Sequence, residues 1–140
     1  IVVVIAIVAV LAIIAVPRFF DIDIFRDRTF YDETIAGVRY AQKLAVATRC
    51  PVRVQFTTNG FTLYRPASAS TCDSGPYDTV VTDPLGAQPT FTRTAPSGIT
   101  LTAANFSFTA AGNTAADVTI NVGSSRSFRV HAATGFVQEL

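Results

Sequence analysis

The residues best suited to chemistry are Cys50, Cys72 and His131, the two cysteines and the one histidine of this 140-residue sequence. They cannot complete a closed structural zinc site, which takes four ligands. A disulfide between the cysteines would close a loop of about twenty residues and stabilise the fold by roughly 3 kcal/mol in the chain-entropy treatment. This pairing is expected if the domain lies outside the cytoplasm, where disulfides persist. Two unpaired thiols are the alternative.

Nucleophilic catalysis would need a serine placed against the histidine and an acid to orient it. His131 lies in an alternating apolar–polar pattern, which is typical of a strand. Nothing in the surrounding sequence marks a nearby serine as a nucleophile; these serines are Ser124, Ser125 and Ser127. We therefore expect no enzyme activity.

A calcium site could be imagined around Asp21, Asp23 and Asp27. Apolar residues separate the three acids, and the segment lacks the glycine that makes the sharp turn of a calcium-binding loop. The sequence also has no glycine-rich phosphate-binding loop. We expect neither a metal nor a cofactor.

The chain opens with sixteen apolar residues, Ile1 to Val16, which would form a helix about 24 Å long. A membrane span needs about 20 apolar residues. A soluble core helix would be less uniformly aliphatic, and a signal peptide would carry a basic leader and a small-residue cleavage site. The sequence has no methionine. We expect this run to be the main part of a span whose first residues are missing here.

Small residues recur every three positions in this run, a spacing that lets helices approach closely. A plain lipid anchor is the alternative. A proline directly after the run should kink or loosen the helix, and two phenylalanines suit a membrane interface. The expected assembly helix therefore comprises Ile1, Ala6, Ala9, Ala12, Ala15, Val16, Pro17, Phe19 and Phe20.

A second helix is predicted over residues 29–48, after an irregular linker at 21–28. Thr29 and Asp32 resemble a capping box at its start. Its end is expected at Cys50-Pro51, because a residue before proline is biased out of the α region. The residues predicted to form its apolar face are Phe30, Thr34, Ile35, Val38, Ala41, Leu44, Ala45 and Thr48.

Short alternating segments separated by glycine and proline fill the rest of the chain and predict about eight strands. Thr58-Asn59-Gly60 is a hairpin signal between the first two. Residues 98–103 (GITLTA) are among the predicted strands, and Phe106, Phe108 and Phe128 among the core positions. A long helical region followed by a run of strands predicts an α+β fold.

Three segments together resemble the type IV pilin superfamily: the aliphatic run, the PRFF that follows it, and FYDETIAGVRYAQKLAVATRCPVRVQF at residues 30–56. The similarity points to the C-type minor pilins of MSHA pili and to the H-type pseudopilins of type II secretion. FSFTAAGN and the strands after it are similar to the C-terminal half of the latter. Mature chains of these families begin with Phe-Thr-Leu-x-Glu just before the aliphatic run. Aligned on Pro17, this sequence lacks those five residues.

The resemblance implies a structural subunit of an MSHA-like type IV pilus, assembled through the N-terminal helix. Residues 1–28 would form the transmembrane or filament-core helix and a linker, and residues 29–140 the globular head. The implied partners are copies of itself in a helical filament, other minor pilins and the assembly machinery. The helix would lie in the bacterial inner membrane before assembly, and afterwards in an extracellular pilus or a periplasmic pseudopilus.

Three other functions stay open: a type II secretion pseudopilin, a membrane-anchored binding module and a DNA-uptake minor pilin. DNA-uptake relatives carry a C-terminal Gly-Arg-x-Arg, whereas residues 135–138 here read GFVQ. The nearby Arg126, Arg129 and His131 would give little affinity for phosphate at physiological salt. The net charge is only +1. We therefore do not expect nucleic acid as a partner.

Overall fold

The computed structural model describes residues 1–15, 22–67, 72 and 76–140. These residues form two helices and two antiparallel sheets, so the predicted α+β class is confirmed. The elements are α1 (Val2–Ala15), α2 (Ile22–Thr48), β1 (Val52–Thr57), β2 (Gly60–Arg65), β3 (Thr79–Val80), β4 (Thr92–Thr94), β5 (Ala104–Phe108), β6 (Val118–Val122), β7 (Arg126–Val130) and β8 (Val137–Glu139).

The second helix begins at Ile22, so the predicted irregular linker at 21–28 is wrong for residues 22–28. Thr29 does not cap the helix. It lies inside it, where its hydroxyl donates to the carbonyl oxygen of Phe25 at 2.9 Å. Neither glycine nor proline occurs between residues 22 and 36, so nothing in this part of the chain breaks the helical hydrogen bonding. The helix therefore crosses the expected division between residues 28 and 29. The predicted kink at Pro17 lies outside the described residues.

The predicted apolar face of α2 is confirmed from Phe30 onward. Thr34, Val38, Ala41 and Ala45 have no measurable exposure, since this face packs on β1, β5 and β8. Thr48, at the C-terminal end, is exposed instead of buried. Residues 23–29 are all exposed, so the helix leaves the packed head one residue before Phe30.

The larger sheet has the order β3-β2-β1-β5, with β4 also paired to β2. The predicted hairpin is confirmed, since Thr57 pairs with Gly60 and leaves a two-residue loop. Gly60 is required there because a Cβ atom would clash with the backbone carbonyl of Arg93 on β4. The smaller sheet has the order β6-β7-β8.

The predicted strand at 98–103 is wrong, since only Leu101 forms an isolated bridge, to Val122. The amide of Leu101 donates to Thr58 at the hairpin of the larger sheet, at 3.1 Å. The amide of Thr102 donates to Asn121 on β6, also at 3.1 Å. The segment therefore joins the two sheets and does not extend either ladder.

An aromatic cluster fills the core between α2 and the sheets. Phe56 of β1 stacks against Phe61 and Phe106, at centroid distances of 5.3 and 6.2 Å, and meets Phe128 of the smaller sheet at 6.3 Å. Phe108 and Phe128 have no exposed surface. The three phenylalanines predicted as core residues are therefore confirmed.

Gln42 of α2 fastens two distant loops to the helix. Its Nε2 donates to the carbonyl oxygen of Gly112 at 2.9 Å and to that of Thr134 at 2.8 Å. Gly135 lies beside this contact with φ of 65°, and a Cβ atom there would collide with the carbonyl of Gly112 and with Gln42. One amide group thus holds both the β5–β6 and the β7–β8 connections.

Arg93 of β4 forms the second tie to α2, close to the point where the helix leaves the head. Its Nε lies 2.7 Å from Glu33 Oε1, and its Nη2 lies 3.0 Å from Asp83 Oδ2. The guanidinium lies over the ring of Phe91, 4.4 Å from its centroid. The Asp83 side chain has no exposed surface. Hydrogen bonding from the backbone N–H of Leu85, aided by Arg93, holds the pKa of Asp83 below its ordinary value of 3.8, although burial acts in the opposite direction.

We expect Gln42→Ala to lower the free energy of unfolding by about 1–2 kcal/mol, because two loop carbonyls lose their donor. Gln42→Glu should be at least as damaging near pH 7, since a carboxylate cannot donate and would face two carbonyl oxygens. Urea unfolding measures both. Lys43→Ala, at the neighbouring exposed position, is the control and should change stability by less than about 0.5 kcal/mol. Equal free energies of unfolding for Gln42→Ala and Lys43→Ala would contradict the role given to Gln42.

Asp83 should make the head sensitive to acid. Its pKa is lower in the folded than in the unfolded state, so its stabilisation is fully present well above pH 3.8 and is lost as the pH falls through the folded value. Asp83→Asn should lower the midpoint of thermal unfolding at neutral pH and weaken its dependence on pH below about 5. Asp78→Asn removes an exposed carboxylate and serves as the control. The role of Asp83 fails if both variants keep the wild-type pH profile.

Candidate assembly surface

The residues considered first for catalysis do not converge on one site. His131 follows β7, with Nε2 2.7 Å from Gln138 Oε1 and Nδ1 3.8 Å from Asp117 Oδ2. Its ring stacks on Phe136 with centroids 6.3 Å apart. Ser127 uses its carbonyl to accept a hydrogen bond from the hydroxyl of Tyr31, at 2.9 Å. The contacts of His131 are those of a surface side chain held by its neighbours.

The acidic residues considered for calcium are spread along a helix. Asp23 lies 3.9 Å from Arg26, and both side chains are exposed. Asp27 follows one turn later on α2, and Asp21 lies outside the described residues. Among the residues with described positions, no three acidic, cysteine or histidine side chains come together as metal ligands would.

The arginines near the C-terminus each have a partner in the head. Arg126 lies over the ring of Tyr31, 5.6 Å from its centroid, and Arg129 Nε lies 3.4 Å from the hydroxyl of Thr119. Burial, followed by the charge of Glu139, raises the pKa of Tyr31 above its ordinary value of 10.0, so this hydroxyl stays neutral and donates. Arg126 thus contacts α2, whereas the exposed Arg129 contacts its neighbouring strand within the smaller sheet.

Cys50 and Cys72 form a disulfide, as predicted, with their Cα atoms 4.8 Å apart. The bond ties the connection between β2 and β3 to the residues that follow α2. It therefore fixes the C-terminal end of the helix, at the opposite end from the contact between Glu33 and Arg93.

Exposed apolar surface is concentrated on α1, which contains only aliphatic residues. Among the first ten residues of the chain, the eight valines and isoleucines are 55–99% exposed, and Ala6 and Ala9 are exposed as well. Ala12 and Ala15 lie in the same helix, whereas Val16, Pro17, Phe19 and Phe20 fall outside the described residues. Neither helix of the described parts has the length and apolarity needed to cross a membrane.

A second apolar surface lies on the first turns of α2. Ile24 is 65% and Phe25 72% exposed, next to the ion pair of Asp23 and Arg26. The sequence predicts an irregular linker at these two positions, whereas the structure places them on a helix. The feature of the sequence that favours a helix here is the pair of opposite charges at Asp23 and Arg26, three residues apart. Together, α1 and this part of α2 form what we call the assembly surface.

The sequence matches the family model described as Type II transport protein GspH over residues 32–134. Two solved structures have a similar fold, both crystal forms of the type IV minor pilin FimU from Pseudomonas aeruginosa strain PAO1. The first, in space group P21, has a TM-score of 0.58 at 17% identity and covers 81% of this chain and 87% of that one. The second, in space group P65, has a TM-score of 0.56 at 18% identity, and the match covers 81% of this chain and 91% of that one. No curated protein matches the sequence.

The family match covers well over half of the chain, including α2 from Asp32 onward and all strands from β1 to β7. The solved structures agree with it in fold, and at their low identity they show the fold alone. The resemblance to the type IV pilin superfamily and to H-type pseudopilins is therefore confirmed. The chain belongs to the GspH family and is a pilin-type structural subunit of the type IV pilin superfamily.

Proposed function

We propose that this chain is a structural subunit of an MSHA-like type IV pilus and assembles through α1. The observation that carries the proposal is the exposure of ten consecutive apolar residues at the start of the chain. Burying one large aliphatic side chain contributes about 1.5–3 kcal/mol. A helix made only of aliphatic residues, most of them large, therefore has a strong tendency to be covered by lipid or by other apolar helices.

Lipid and neighbouring helices would each surround α1 at a different stage of assembly. The helix lies in the bacterial inner membrane before assembly and in the core of the filament afterwards. Ala6 and Ala9 lie three residues apart on α1, and small residues at helical spacing let neighbouring helices approach closely. A head-to-tail contact that does not close produces a helical polymer. Other pilins and the assembly machinery are the remaining proposed partners.

A second candidate function is a pseudopilin of type II secretion, in a periplasmic filament. The match to the family described as Type II transport protein GspH favours it. The two functions share the assembly surface and differ in where the filament forms. They are separated by deleting the gene in the source bacterium. Loss of surface filaments with normal protein secretion supports the pilus, and the reverse result supports the pseudopilus.

Assembly should fail when α1 can no longer pack. We expect Ala9→Arg in the full-length precursor to abolish incorporation into filaments, because a charge in an apolar helix core is strongly unfavourable. Ala9→Ile stays apolar, so it should still enter the membrane, but its larger side chain should reduce assembly. The measurement is the amount of subunit in sheared filaments, by immunoblot and electron microscopy.

The matched control is Leu140→Arg, which places the same charge at another exposed apolar residue, 57% exposed at the end of the head. It should assemble normally. Circular dichroism of each variant checks that the head is folded. Filaments formed by Ala9→Arg at the wild-type level would contradict assembly through α1.

A further inference from the structure

Arg53 of β1 lies on the outer face of the larger sheet, opposite the face that packs on α2. The residues of β1 alternate in burial, and Arg53 occupies one of the partly exposed positions. Its Cζ atom lies 5.1 Å from the ring centroid of Tyr64, its direct partner on β2. The same atom lies 5.1 Å from the ring centroid of Tyr77, in the connection between β2 and β3. Two aromatic rings therefore stabilise one guanidinium through cation–π contacts.

The Nε atom of Arg53 is a buried donor without an acceptor. Within the described part of the chain, it is the single buried side-chain nitrogen or oxygen that makes no hydrogen bond. The adjacent Nη2 donates to the carbonyl oxygen of Tyr77 at 2.9 Å and carries a second proton. Buried donors are nearly always paired, because an unpaired one has lost its hydrogen bonds to water without replacement. The N–H of Nε therefore remains for an acceptor.

Arg53 also differs from other arginines of the head and helix in its charge balance. Arg26, Arg39 and Arg93 each lie within 3.9 Å of a carboxylate oxygen. None of the ion pairs among the described residues includes Arg53. The strand residues that share its face of the sheet are all uncharged: Gln55, Thr57, Thr62, Tyr64, Val80, Thr92, Thr94, Asn105 and Ser107. A lone positive charge on a neutral face favours one negative charge from another molecule.

We propose that Arg53 binds a carboxylate group on the outer face of the larger sheet. The two oxygens of a carboxylate match the N–H groups of Nε and Nη2, and such bidentate, charge-assisted hydrogen bonds are strong. A single negative charge balances the lone guanidinium, whereas a phosphate dianion would leave one charge unbalanced over a neutral surface. The carboxylate also supplies the acceptor that Nε lacks.

The carboxylate reaches Nε by displacing one of the two rings, because Nε itself is shielded from solvent. Tyr64 is held in the ladder of β2, whereas Tyr77 lies outside the strands. The ring of Tyr77 is therefore the one that moves, while its carbonyl oxygen stays bonded to Nη2. The contact with Tyr64 continues to stabilise the guanidinium.

Nitrogen NMR tests the site at the atom concerned. The full chain, labelled with ¹⁵N-arginine in a nonionic detergent, is titrated with sodium acetate against sodium chloride at equal ionic strength. We expect the Nε–H resonance of Arg53 to move to the position of a hydrogen-bonded group and to saturate at roughly millimolar acetate. The Nε–H of the exposed Arg129 is the control and should not saturate.

Acetamide has nearly the shape of acetate without its charge, so it should leave the Arg53 resonance in place. The proposal is overturned if acetate does not move this resonance, or if chloride or acetamide moves it equally. Water alone as the acceptor of Nε would give that negative result.

Thermal unfolding provides a second measurement. A ligand that binds only the folded state raises the unfolding midpoint, so acetate should raise it above the value in chloride. Arg53→Lys keeps the charge but loses Nε and the planar fork, and it should lose this increment. Arg129→Lys is the matched control and should keep it. An unchanged increment in Arg53→Lys would contradict the proposal. If Arg53→Lys does not fold, the NMR titration of the wild-type chain decides.

The amide of N-acetylglutamate distinguishes two sources of the carboxylate. It presents the group on a protein side chain, whereas acetate represents a small free acid. Saturation at a lower concentration of the glutamate compound assigns the site to an acidic side chain of another protein. Saturation at a lower concentration of acetate assigns it to a small acid, and failure of both to bind overturns the proposal. Both titrations use the unassembled chain, so their outcome does not depend on filament formation.

Discussion

The structure depends on the packing of one face of α2 against both sheets. From Phe30 to Ala45 this face lies over β1, β5 and β8, and its central residues have no exposed surface. The core phenylalanines of the two sheets meet beneath it, at Phe56 and Phe128. Because a single helix covers both sheets, contacts with α2 set the positions of strands and loops from both of them. The hydrogen bonds of Gln42 and the ion pair of Glu33 are two examples.

The two parts of α2 differ in their exposure to solvent. Its first turns, residues 23–29, are exposed, and its later turns are buried in the head. The change occurs at Phe30, close to the contact between Glu33 and Arg93. The disulfide of Cys50 and Cys72 fixes the chain just beyond the other end. The buried part of α2 is therefore fastened to the head near both of its ends.

Polar groups are used in the head mainly to fix geometry. Asp83 is buried and paired with Arg93, and the amide of Gln42 bonds to two carbonyl oxygens. Buried ionic and polar groups contribute little net stability compared with apolar packing, but they do penalise arrangements in which they lose their partners. In this protein they act on connections between strands, which would otherwise have few contacts. One exposed apolar residue, Leu85, is held in this way, through the hydrogen bond from its amide to Asp83.

Local periodicity determined the class of fold, the buried face of α2, the first hairpin and the core phenylalanines, because each depends on residues close in sequence. Composition alone indicated the aliphatic helix and the disulfide between the two cysteines. The start of α2 at Ile22 could not be predicted in this way. The alternation of isoleucines and aspartates at residues 21–24 is not a helical pattern, although no glycine or proline there breaks a helix. The contacts of Gln42 and Arg93 join residues up to 92 positions apart, and no local pattern marks such partners. Only the packing of α2 across both sheets brought them together.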